Sequence, residues 1–415
     1  AAGGGFGYIF NPTFGFLLGL IPTAWAVQRE DLVVNEQNEK YGVVDKGGRV
    51  ILPTIYDYVS IEENGTIRVS LYTGEWGTEG LYSWEGEEIL PTVYSHISTQ
   101  EDGNLEVGME VTQENGETQI KCGLLDARGN VLLPIVYDRI DDLFEDRRPV
   151  YLNGKAGYLD ENFQLVISYQ YDYALRFEHG LAEVRQGEFY GVIDRDGKEV
   201  LPCIYNDIVI YEDGIIKAGR YSDQGARYGL FDREGREILP MEYDSIYGSK
   251  NEDYFILRKW GETSVAEGLA DREGNIILPM VYQVIDQTTD DCWLVIRNDK
   301  CGVLDREFQP LIPLNYDSIF EAEGHEDYYT VCRNDRWGLL DREGKVVLPL
   351  EYDELDWVEE DVCLAAKGGK TGLLRCPGGE VLAPFVYDEV SRWNRNYLVV
   401  TQNGLMGALD RKTGA

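Results

Sequence analysis

The sequence predicts an all-β protein made of about ten tandem copies of a short repeat, folded as β-propeller-like sheets. Two observations support this prediction: a glycine and a tyrosine recur at constant spacing, and the residues around them match short strands joined by tight turns. The copy number exceeds that of a usual single ring. Two rings, one larger ring or an open β-superhelix are therefore compatible, with a β-solenoid as the alternative.

The glycine and the tyrosine define the repeat. Tyr56 lies 14 residues after Gly42, Tyr352 lies 14 residues after Gly338, and nine of the ten complete copies share this offset. A constant offset indicates a constant local structure, so residues 29–415 are assigned to one array and residues 1–28 to a separate segment. The copies start near residues 41, 79, 122, 156, 190, 228, 267, 301, 337 and 371, with a partial copy from 406.

Each copy contains the pattern of a β-hairpin. An apolar pair after the glycine predicts a first strand, and Asp-x-x-Gly predicts the turn, because Asp accepts backbone N–H bonds and Gly adopts positive φ. A β-branched run predicts the second strand, and the proline after it is expected to end that strand because proline has no N–H. In two of the copies these structural positions are Gly42, Asp45, Pro53, Tyr56, Gly338, Asp341, Pro349 and Tyr352.

The recurring tyrosine and the aspartate after it are expected to be structural. The tyrosine is predicted to be a core aromatic whose hydroxyl bonds to backbone, and the aspartate is predicted to cap the bend before the next strand. Catalysis needs one asymmetric site with an acid and a base in different environments, whereas these residues recur in most copies. The sequence also lacks nucleotide-binding, nucleophile and calcium-loop motifs, so we predict a protein that is not an enzyme and has no cofactor.

The charge balance is strongly acidic, with 74 Asp and Glu against 38 Lys and Arg and a formal net charge of -36. Nucleic acid binding depends on clustered Lys and Arg that release counterions from phosphates, and the sequence has no basic stripe. We therefore predict that the protein does not bind nucleic acid. An acidic surface favours cationic partners.

The seven cysteines and three histidines form no metal-binding motif in the sequence. No CxxC pair occurs, and His96, His179 and His325 lie in separate copies. We therefore predict no metal site and no disulfide framework. Cys122 and Cys301, each directly before a repeat glycine, are expected to be semi-buried strand residues.

The segment from each tyrosine to the next glycine varies between 20 and 29 residues. Insertions at one phase of a repeat project from one face, which is often the binding face. Tryptophans that depart from the repeat consensus are candidate binding residues, since Trp is enriched at binding hot spots, and the alternative is that they fill packing gaps. The predicted binding residues are Trp76, Trp84, Trp260 and Trp293, and Trp357 and Trp393 share the same departure.

The pattern Gly-x-x-Asp-x-x-Gly-x-x-(Val/Ile)-(Leu/Ile)-Pro-x-x-Tyr-Asp resembles the WG (Trp-Gly) repeat family over roughly residues 35–415. The Trp-Gly pair itself is in register only at Trp337-Gly338, and other copies carry residues such as Tyr41 or Cys301 before the glycine. The resemblance implies a bacterial, non-enzymatic scaffold that binds a protein or glycan partner through its loop-rich face.

Residues 1–28 carry no charge and suggest two interpretations. In the first, residues 14–20 are the apolar core of a secretory signal that is cleaved after Ala24-Trp25-Ala26. In the second, residues 3–22 resemble a transmembrane stretch of the substrate-binding component of biotin transporters, through Pro12-Thr13 and the run from Gly15 to Gly19. This second resemblance implies an alternative function, a membrane-transport fragment fused to a soluble repeat domain.

Both interpretations make residues 6–26 a candidate membrane contact. They favour the cell envelope, secretion or a membrane anchor as the location, with the cytoplasm as the alternative. The leading functional hypothesis is a binding scaffold for protein or glycan partners.

Overall fold

The computed structural model describes residues 32–72, 77–112, 116–262, 264–321, 325, 327–359, 361–392 and 396–415. These residues form short antiparallel sheets joined by turns, which confirms the predicted all-β tandem array. No helix with the length and hydropathy needed to cross a membrane lies in the described ranges. The apolar segment 1–28, with both of its interpretations, lies outside them, as do the candidate residues Trp76 and Trp393.

The chain divides into two compact units, Ala1–Ile204 and Tyr205–Ala415. The described sheets of the first unit are a three-stranded sheet followed by four-stranded sheets. Their strands are β1 (Leu32–Gln37), β2 (Lys40–Asp45) and β3 (Val50–Tyr56); β4 (Tyr58–Ile61), β5 (Thr66–Tyr72), β6 (Gly77–Ser83) and β7 (Glu88–Tyr94); β8 (His96–Thr99), β9 (Leu105–Thr112), β10 (Thr118–Leu125) and β11 (Val131–Tyr137); β12 (Arg139–Ile140), β13 (Arg148–Leu152), β14 (Lys155–Leu159) and β15 (Leu165–Tyr171); and β16 (Tyr173–Ala174), β17 (Leu181–Gln186), β18 (Phe189–Asp194) and β19 (Glu199–Tyr205).

The second unit continues with four-stranded sheets and ends in a three-stranded one. Its described strands are β20 (Asp207–Ile210), β21 (Ile216–Ser222), β22 (Gly225–Phe231) and β23 (Glu237–Tyr243); β24 (Ser245–Gly248), β25 (Tyr254–Trp260), β26 (Val265–Asp271) and β27 (Ile276–Tyr282); β28 (Val284–Gln287), β29 (Trp293–Arg297), β30 (Lys300–Leu304) and β31 (Pro310–Tyr316); β32 (Ser318–Glu321), β33 (Tyr328–Arg333), β34 (Arg336–Asp341) and β35 (Val346–Tyr352); β36 (Glu354–Glu359), β37 (Val362–Lys367), β38 (Lys370–Arg375) and β39 (Glu380–Tyr387); and β40 (Glu389–Arg392), β41 (Tyr397–Gln402) and β42 (Leu405–Asp410).

Each four-stranded sheet is a simple meander, with its strands in chain order. The repeated Tyr-Asp pair is the junction between sheets, because β35 ends at Tyr352 and β36 begins at Glu354. A sequence copy that starts at its glycine therefore supplies the last two strands of one sheet and the first two of the next. The copy that starts at Gly338, for example, supplies β34, β35, β36 and β37.

The repeat glycine is required by a close approach of backbone. A Cβ atom on Gly338 would lie 2.6 Å from the carbonyl oxygen of Leu348 and 2.9 Å from the nitrogen of Leu350. The pairing of β34 with β35 shifts register between Trp337 and Leu339, the interval that contains Gly338, and again between Leu339 and Leu340, which is the mark of a β-bulge. Gly42 has the same surroundings, with the Leu52 oxygen 2.7 Å from the Cβ position. The glycine is therefore the residue that lets the bulged strands meet.

The Asp-x-x-Gly turn has the predicted structure. One carboxylate oxygen of Asp45 accepts the backbone N–H of Gly47 and of Arg49, each at 2.9 Å, and Asp341 binds its own turn in the same way. Gly344 at the end of the turn has φ of 77°. Phe163 and Phe308 occupy the same position in two other copies, each with φ of 61°, and Phe308 stacks against Trp293 at 5.7 Å between ring centroids. Aromatic packing therefore accompanies the uncommon backbone conformation there.

The expectation that proline ends the second strand is wrong. β3 continues through Pro53 to Tyr56, and β35 continues through Pro349 to Tyr352. Both prolines are exposed and lie beside the bulge, on a strand at the edge of its sheet. A missing N–H costs no ladder bond at such a position.

The hydrophobic core lies between successive sheets within each unit. The repeat tyrosines lie in it, with Tyr56 and Tyr352 each 5% exposed, so the prediction of a core aromatic is confirmed. The predicted backbone partner is wrong for Tyr56, whose hydroxyl donates to the Tyr82 hydroxyl at 3.2 Å. One core cluster joins the β32–β35 sheet to the β36–β39 sheet through Leu339, Leu348, Tyr352, Leu355, Cys363, Ala365, Leu374 and Cys376. Each sheet therefore buries its apolar face against its neighbour in the chain.

Candidate binding site

The predicted binding tryptophans occupy different environments. Trp260 is 60% exposed at the end of β25, and the Arg258 guanidinium lies 5.5 Å from its ring centroid. Trp84 is half-buried against the apolar cluster of the first sheets, and its indole N–H has no hydrogen-bond partner among the described residues. Of these two side chains, Trp260 presents the larger free aromatic surface.

Trp293 corrects the prediction, because it is a core residue. Its side chain is 1% exposed and packs between Tyr254, at 5.5 Å, and Phe308, at 5.7 Å between ring centroids. It belongs to an apolar cluster formed by the β24–β27 and β28–β31 sheets. Trp293 therefore takes the alternative role of filling a packing gap.

An aromatic cleft in the second unit lies between the β32–β35 and β36–β39 sheets. Its volume is 420 Å³, and its lining residues are Phe320, Thr330, Trp337, Glu354, Leu355, Asp356 and Trp357. Trp337 is the tryptophan of the in-register Trp-Gly pair. We call this the aromatic cleft.

The rings of the cleft are held by neighbours. Phe320, which is 54% exposed, stacks on Trp337 with ring centroids 6.1 Å apart and planes at 17°. The Trp357 ring stacks on His325 at 3.9 Å, and its indole N–H donates to the Thr330 hydroxyl at 3.3 Å. Because these contacts orient the rings before a ligand arrives, the cleft presents preformed aromatic faces.

Two exposed carboxylates border these rings. Glu354 and Asp356 alternate along β36 and so project from one face of the sheet. Neither forms an ion pair with a Lys or Arg of the described residues. Both also line a second cavity of 190 Å³ that includes Asp388 and Glu389. The aromatic cleft is thus continuous with an acidic surface.

A clasp that the sequence analysis missed recurs along the array. The aspartate after the repeat tyrosine accepts a hydrogen bond from a backbone N–H at the tip of the following hairpin, as Asp57 does from Tyr72 at 2.9 Å. The same aspartate pairs with a basic residue 17 positions earlier, which for Asp57 is Lys40 at 2.6 Å. The aspartate therefore binds two hairpins rather than only capping a bend. The equivalent pairs are Lys121–Asp138, Lys155–Asp172, Arg227–Asp244, Lys300–Asp317 and Arg336–Asp353, and also Lys370–Asp388, whose members are 18 positions apart.

The clasp changes the charge properties of its aspartates. The hydrogen bond from Lys40, together with that from the Tyr72 amide, lowers the pKa of Asp57 below its ordinary value. Lys300 and the Asn334 amide lower the pKa of Asp317 in the same way. The sequence feature that could have predicted the clasp is a Lys or Arg two residues before the repeat glycine, which is present in most copies.

Glu267 and Glu79 occupy the position before the glycine in two copies that lack this clasp. Glu267 is 1% exposed, and it accepts bonds from Arg258 at 2.7 Å, from the Tyr247 hydroxyl at 3.1 Å and from the Ile285 amide at 2.6 Å. The buried Glu267 network thus joins its own sheet to the first strand of the next one.

Three residues that could hold a metal ion meet in the first unit. The ligand atoms of His96, Glu106 and Cys122 all lie within 4.8 Å of one another. Cys122 is buried rather than semi-buried as predicted, and burial together with the neighbouring Glu106 raises the pKa of its thiol to about 12.

Comparison with protein families identifies the repeat. The family described as "WG containing repeat" matches residues 41–76, 123–155, 157–188, 190–218, 228–259, 302–337, 337–370 and 377–405. These segments together cover more than half of the chain. The segments leave out the residues around Glu79 and Glu267 and the apolar segment 1–28. None of the curated proteins matches the chain.

Solved structures give distant matches. A structure described as the eukaryotic initiation factor is 10% identical, covers 68% of this chain and 94% of its own, and has a TM-score of 0.27. The extracellular domain of the putative one component system BT4673 from B. thetaiotaomicron is 9% identical, covers 93% of this chain and 69% of its own, and has a TM-score of 0.22. Tricorn protease is 12% identical, covers 93% of this chain and 43% of its own, with a TM-score of 0.22. No function follows from similarity at this level.

Proposed function

We propose that this chain, which belongs to the WG containing repeat family, is a non-enzymatic scaffold that binds a protein or glycan partner. The observation that carries the proposal is the aromatic cleft, where the faces of Phe320, Trp337 and Trp357 adjoin two carboxylates that pair with no Lys or Arg in the described part of the chain. The cleft lies at the in-register Trp-Gly pair.

The chemistry of the cleft favours a protein partner that presents a basic side chain. A Lys or Arg cation is attracted to an aromatic face, and nearby carboxylates add direct charge pairing. Glu354 and Asp356 supply those carboxylates, and the acidic cavity beside them extends the favourable potential. Stacking of a sugar ring on the same aromatics is the glycan alternative, and it needs hydrogen bonds to the carboxylates rather than their charge.

The proposal is tested with two probes, a dye-labelled peptide that alternates lysine and glycine, and a set of neutral oligosaccharides. We expect the peptide to bind, measured by fluorescence anisotropy, and to bind more weakly as salt is added. Phe320→Ala should weaken binding about threefold to tenfold through loss of an aromatic face. Glu354→Gln/Asp356→Asn should weaken it and reduce its salt dependence.

Controls match these variants in exposure and charge. Tyr221→Ala removes an aromatic side chain that is also 54% exposed, and Asp223→Asn/Glu262→Gln removes the same charge from exposed positions in other sheets. Neither control should change binding. Binding that is weakened by Trp260→Ala, but not by Phe320→Ala, would instead assign the binding face to Trp260. Oligosaccharide binding without peptide binding would favour the glycan alternative, and absence of both would refute the cleft as a binding site for either class.

The transport hypothesis concerns residues 3–22, which none of the described residues or family matches includes. The scaffold proposal does not depend on that segment, because the cleft is formed entirely by residues 320–357.

A further inference from the structure

We propose that His96, Glu106 and Cys122 form a site for one Zn²⁺ ion. The proposal is independent of the aromatic cleft, which lies in the other unit. No metal site was predicted from the sequence, because it has no CxxC pair and its histidines lie in separate copies, and His96, Glu106 and Cys122 are 10 and 16 positions apart. Strand pairing brings them together.

The three ligands come from three neighbouring strands of one sheet. His96 on β8 pairs with Gly108 on β9, and Gly108 pairs in turn with Cys122 on β10. Side chains in directly paired positions project from the same face. Glu106 is two residues before Gly108 and therefore projects from that face as well.

Gly108 provides the space in which the ligands meet. A Cβ atom at this position would overlap the His96 imidazole, so the ring lies over the glycine and reaches toward Cys122. The equivalent glycine of the β20–β23 sheet, Gly219, is covered instead by the Tyr228 ring, 2.5 Å from its Cβ position. The same gap is thus filled by apolar packing in one sheet and by a ligand set in the other.

The donor atoms suit zinc. An imidazole nitrogen, a carboxylate oxygen and a thiolate sulfur are three typical ligands of Zn²⁺, so binding releases the Cys122 thiol proton to solvent, and a water molecule completes the tetrahedron in open sites. The His96 Nε2 and Glu106 Oε1 atoms are 3.5 Å apart, close to the roughly 3.5 Å between neighbouring ligands on a tetrahedral ion with bonds of about 2.0–2.3 Å. Cys122 is 6% exposed at the base, whereas the His96 side chain is 38% exposed at the entrance.

The surroundings of the Glu106 carboxylate also favour a metal ion. Among the described residues no Lys or Arg is ion-paired with Glu106. The residue at the equivalent position of the preceding sheet is Arg68, which pairs with Glu62 and Glu79. A zinc ion would supply to Glu106 the positive charge that arginine brings to that other sheet.

Cys301 is a matched comparison. It also precedes a repeat glycine and is also 6% exposed, but Val284 and Leu294 occupy the positions that correspond to His96 and Glu106. Its Sγ contacts the Asp317 carbonyl oxygen at 3.6 Å. Cys301 therefore has the burial of Cys122 without the other two ligands.

The test is titration of the reduced full-length chain with Co²⁺, which replaces Zn²⁺ and reports a thiolate ligand through an absorption band in the near ultraviolet. We expect one equivalent to bind, Zn²⁺ to displace it, and the band to disappear in Cys122→Ser. His96→Gln and Glu106→Gln should each weaken Co²⁺ binding by about tenfold or more. Each change removes a metal ligand, and changes in residues that only orient ligands already weaken metal binding by about tenfold. Cys301→Ser should bind as the wild type does.

Far-ultraviolet circular dichroism checks that each variant is folded, and the more exposed His96, whose side chain is 38% exposed, allows the test through His96→Gln even if Cys122→Ser unfolds. Absence of a thiolate band in the wild type would refute the site. A band that persists in Cys122→Ser would also refute it. If that band then disappears in Cys363→Ser, the metal is bound by the buried Cys363–Cys376 neighbours.

Discussion

The position before the repeat glycine is used in opposite ways by Trp337 and Glu267. Trp337 is half-buried, stacks on the exposed Phe320 and forms a wall of the aromatic cleft. Glu267 is 1% exposed and binds Arg258 and the amide of the next sheet. The two backbones share the same pairing and bulge. A single repeat position can therefore provide either a surface for recognition or a buried polar link between sheets.

The largest expected effect is loss of the buried link. Glu267→Ala leaves the Ile285 amide without its acceptor and the Arg258 guanidinium without its carboxylate, and we expect unfolding free energy to fall by about 3 kcal/mol. Urea denaturation measures the change. Glu242→Ala is the control, since Glu242 pairs with Lys259 at an exposed site and should lose less than about 1 kcal/mol. Equal losses in the two variants would contradict the assigned role of Glu267.

The repeat glycine that follows Trp337 in one copy and Glu267 in another should be needed for stability in both copies. Gly338→Ala places a Cβ 2.6 Å from the Leu348 oxygen, and relief of this overlap should cost about 1–3 kcal/mol. Gly248→Ala is the control, because nothing lies within 4 Å of its Cβ position. Thermal unfolding of both variants measures the difference. An unchanged melting temperature in Gly338→Ala would show that the bulge shifts to accommodate the added Cβ atom.

A smaller effect is expected from the hydrogen bond that orients Trp357. Thr330→Val removes the acceptor of the indole N–H and should cost about 1 kcal/mol. Peptide affinity of the cleft should fall as the ring loses its orientation. If affinity is unchanged while stability falls, the ring is held by stacking on His325 and Tyr328 instead.

The smallest effect for any single residue is expected from the Lys–Asp clasps, which the copies that contain Glu79 and Glu267 lack. The pKa values of Asp57, Asp172, Asp317 and Asp388 are lowered by their lysines. A lowered folded-state pKa adds stability above the ordinary carboxyl pKa, and this contribution is lost as pH falls through the lowered value.

The clasp contribution is measured by comparing the wild type with Lys40→Met and Lys300→Met in urea from about pH 6 to about pH 3. Each variant should be less stable at the upper end, and the difference from the wild type should shrink toward the lower end. A difference that is independent of pH would show that these lysines stabilise the protein through packing alone.

The sequence predicted the repeat elements well because their causes are local. Asp341 binds the N–H groups of its own turn, and Gly344 adopts positive φ whatever lies around it. The strand end at Pro349 was predicted wrongly. Proline costs no ladder hydrogen bond at an exposed sheet edge beside a bulge, and both of those features depend on the neighbouring strand. Trp293 and Trp260 were indistinguishable as departures from the consensus, since burial is set by the facing sheet.

By itself, the sequence determined the all-β class, the number and phase of the copies, the turn chemistry and the family. These follow from residue spacing and from backbone preferences within a few positions. Only the tertiary structure decided which side chains meet. It brought Phe320 to Trp337 and Trp357, and it placed His96 and Cys122 on either side of Gly108. The physical reason is that sites in a β-array form across strand pairs and sheet faces, where contacts depend on register and stacking rather than on distance along the chain.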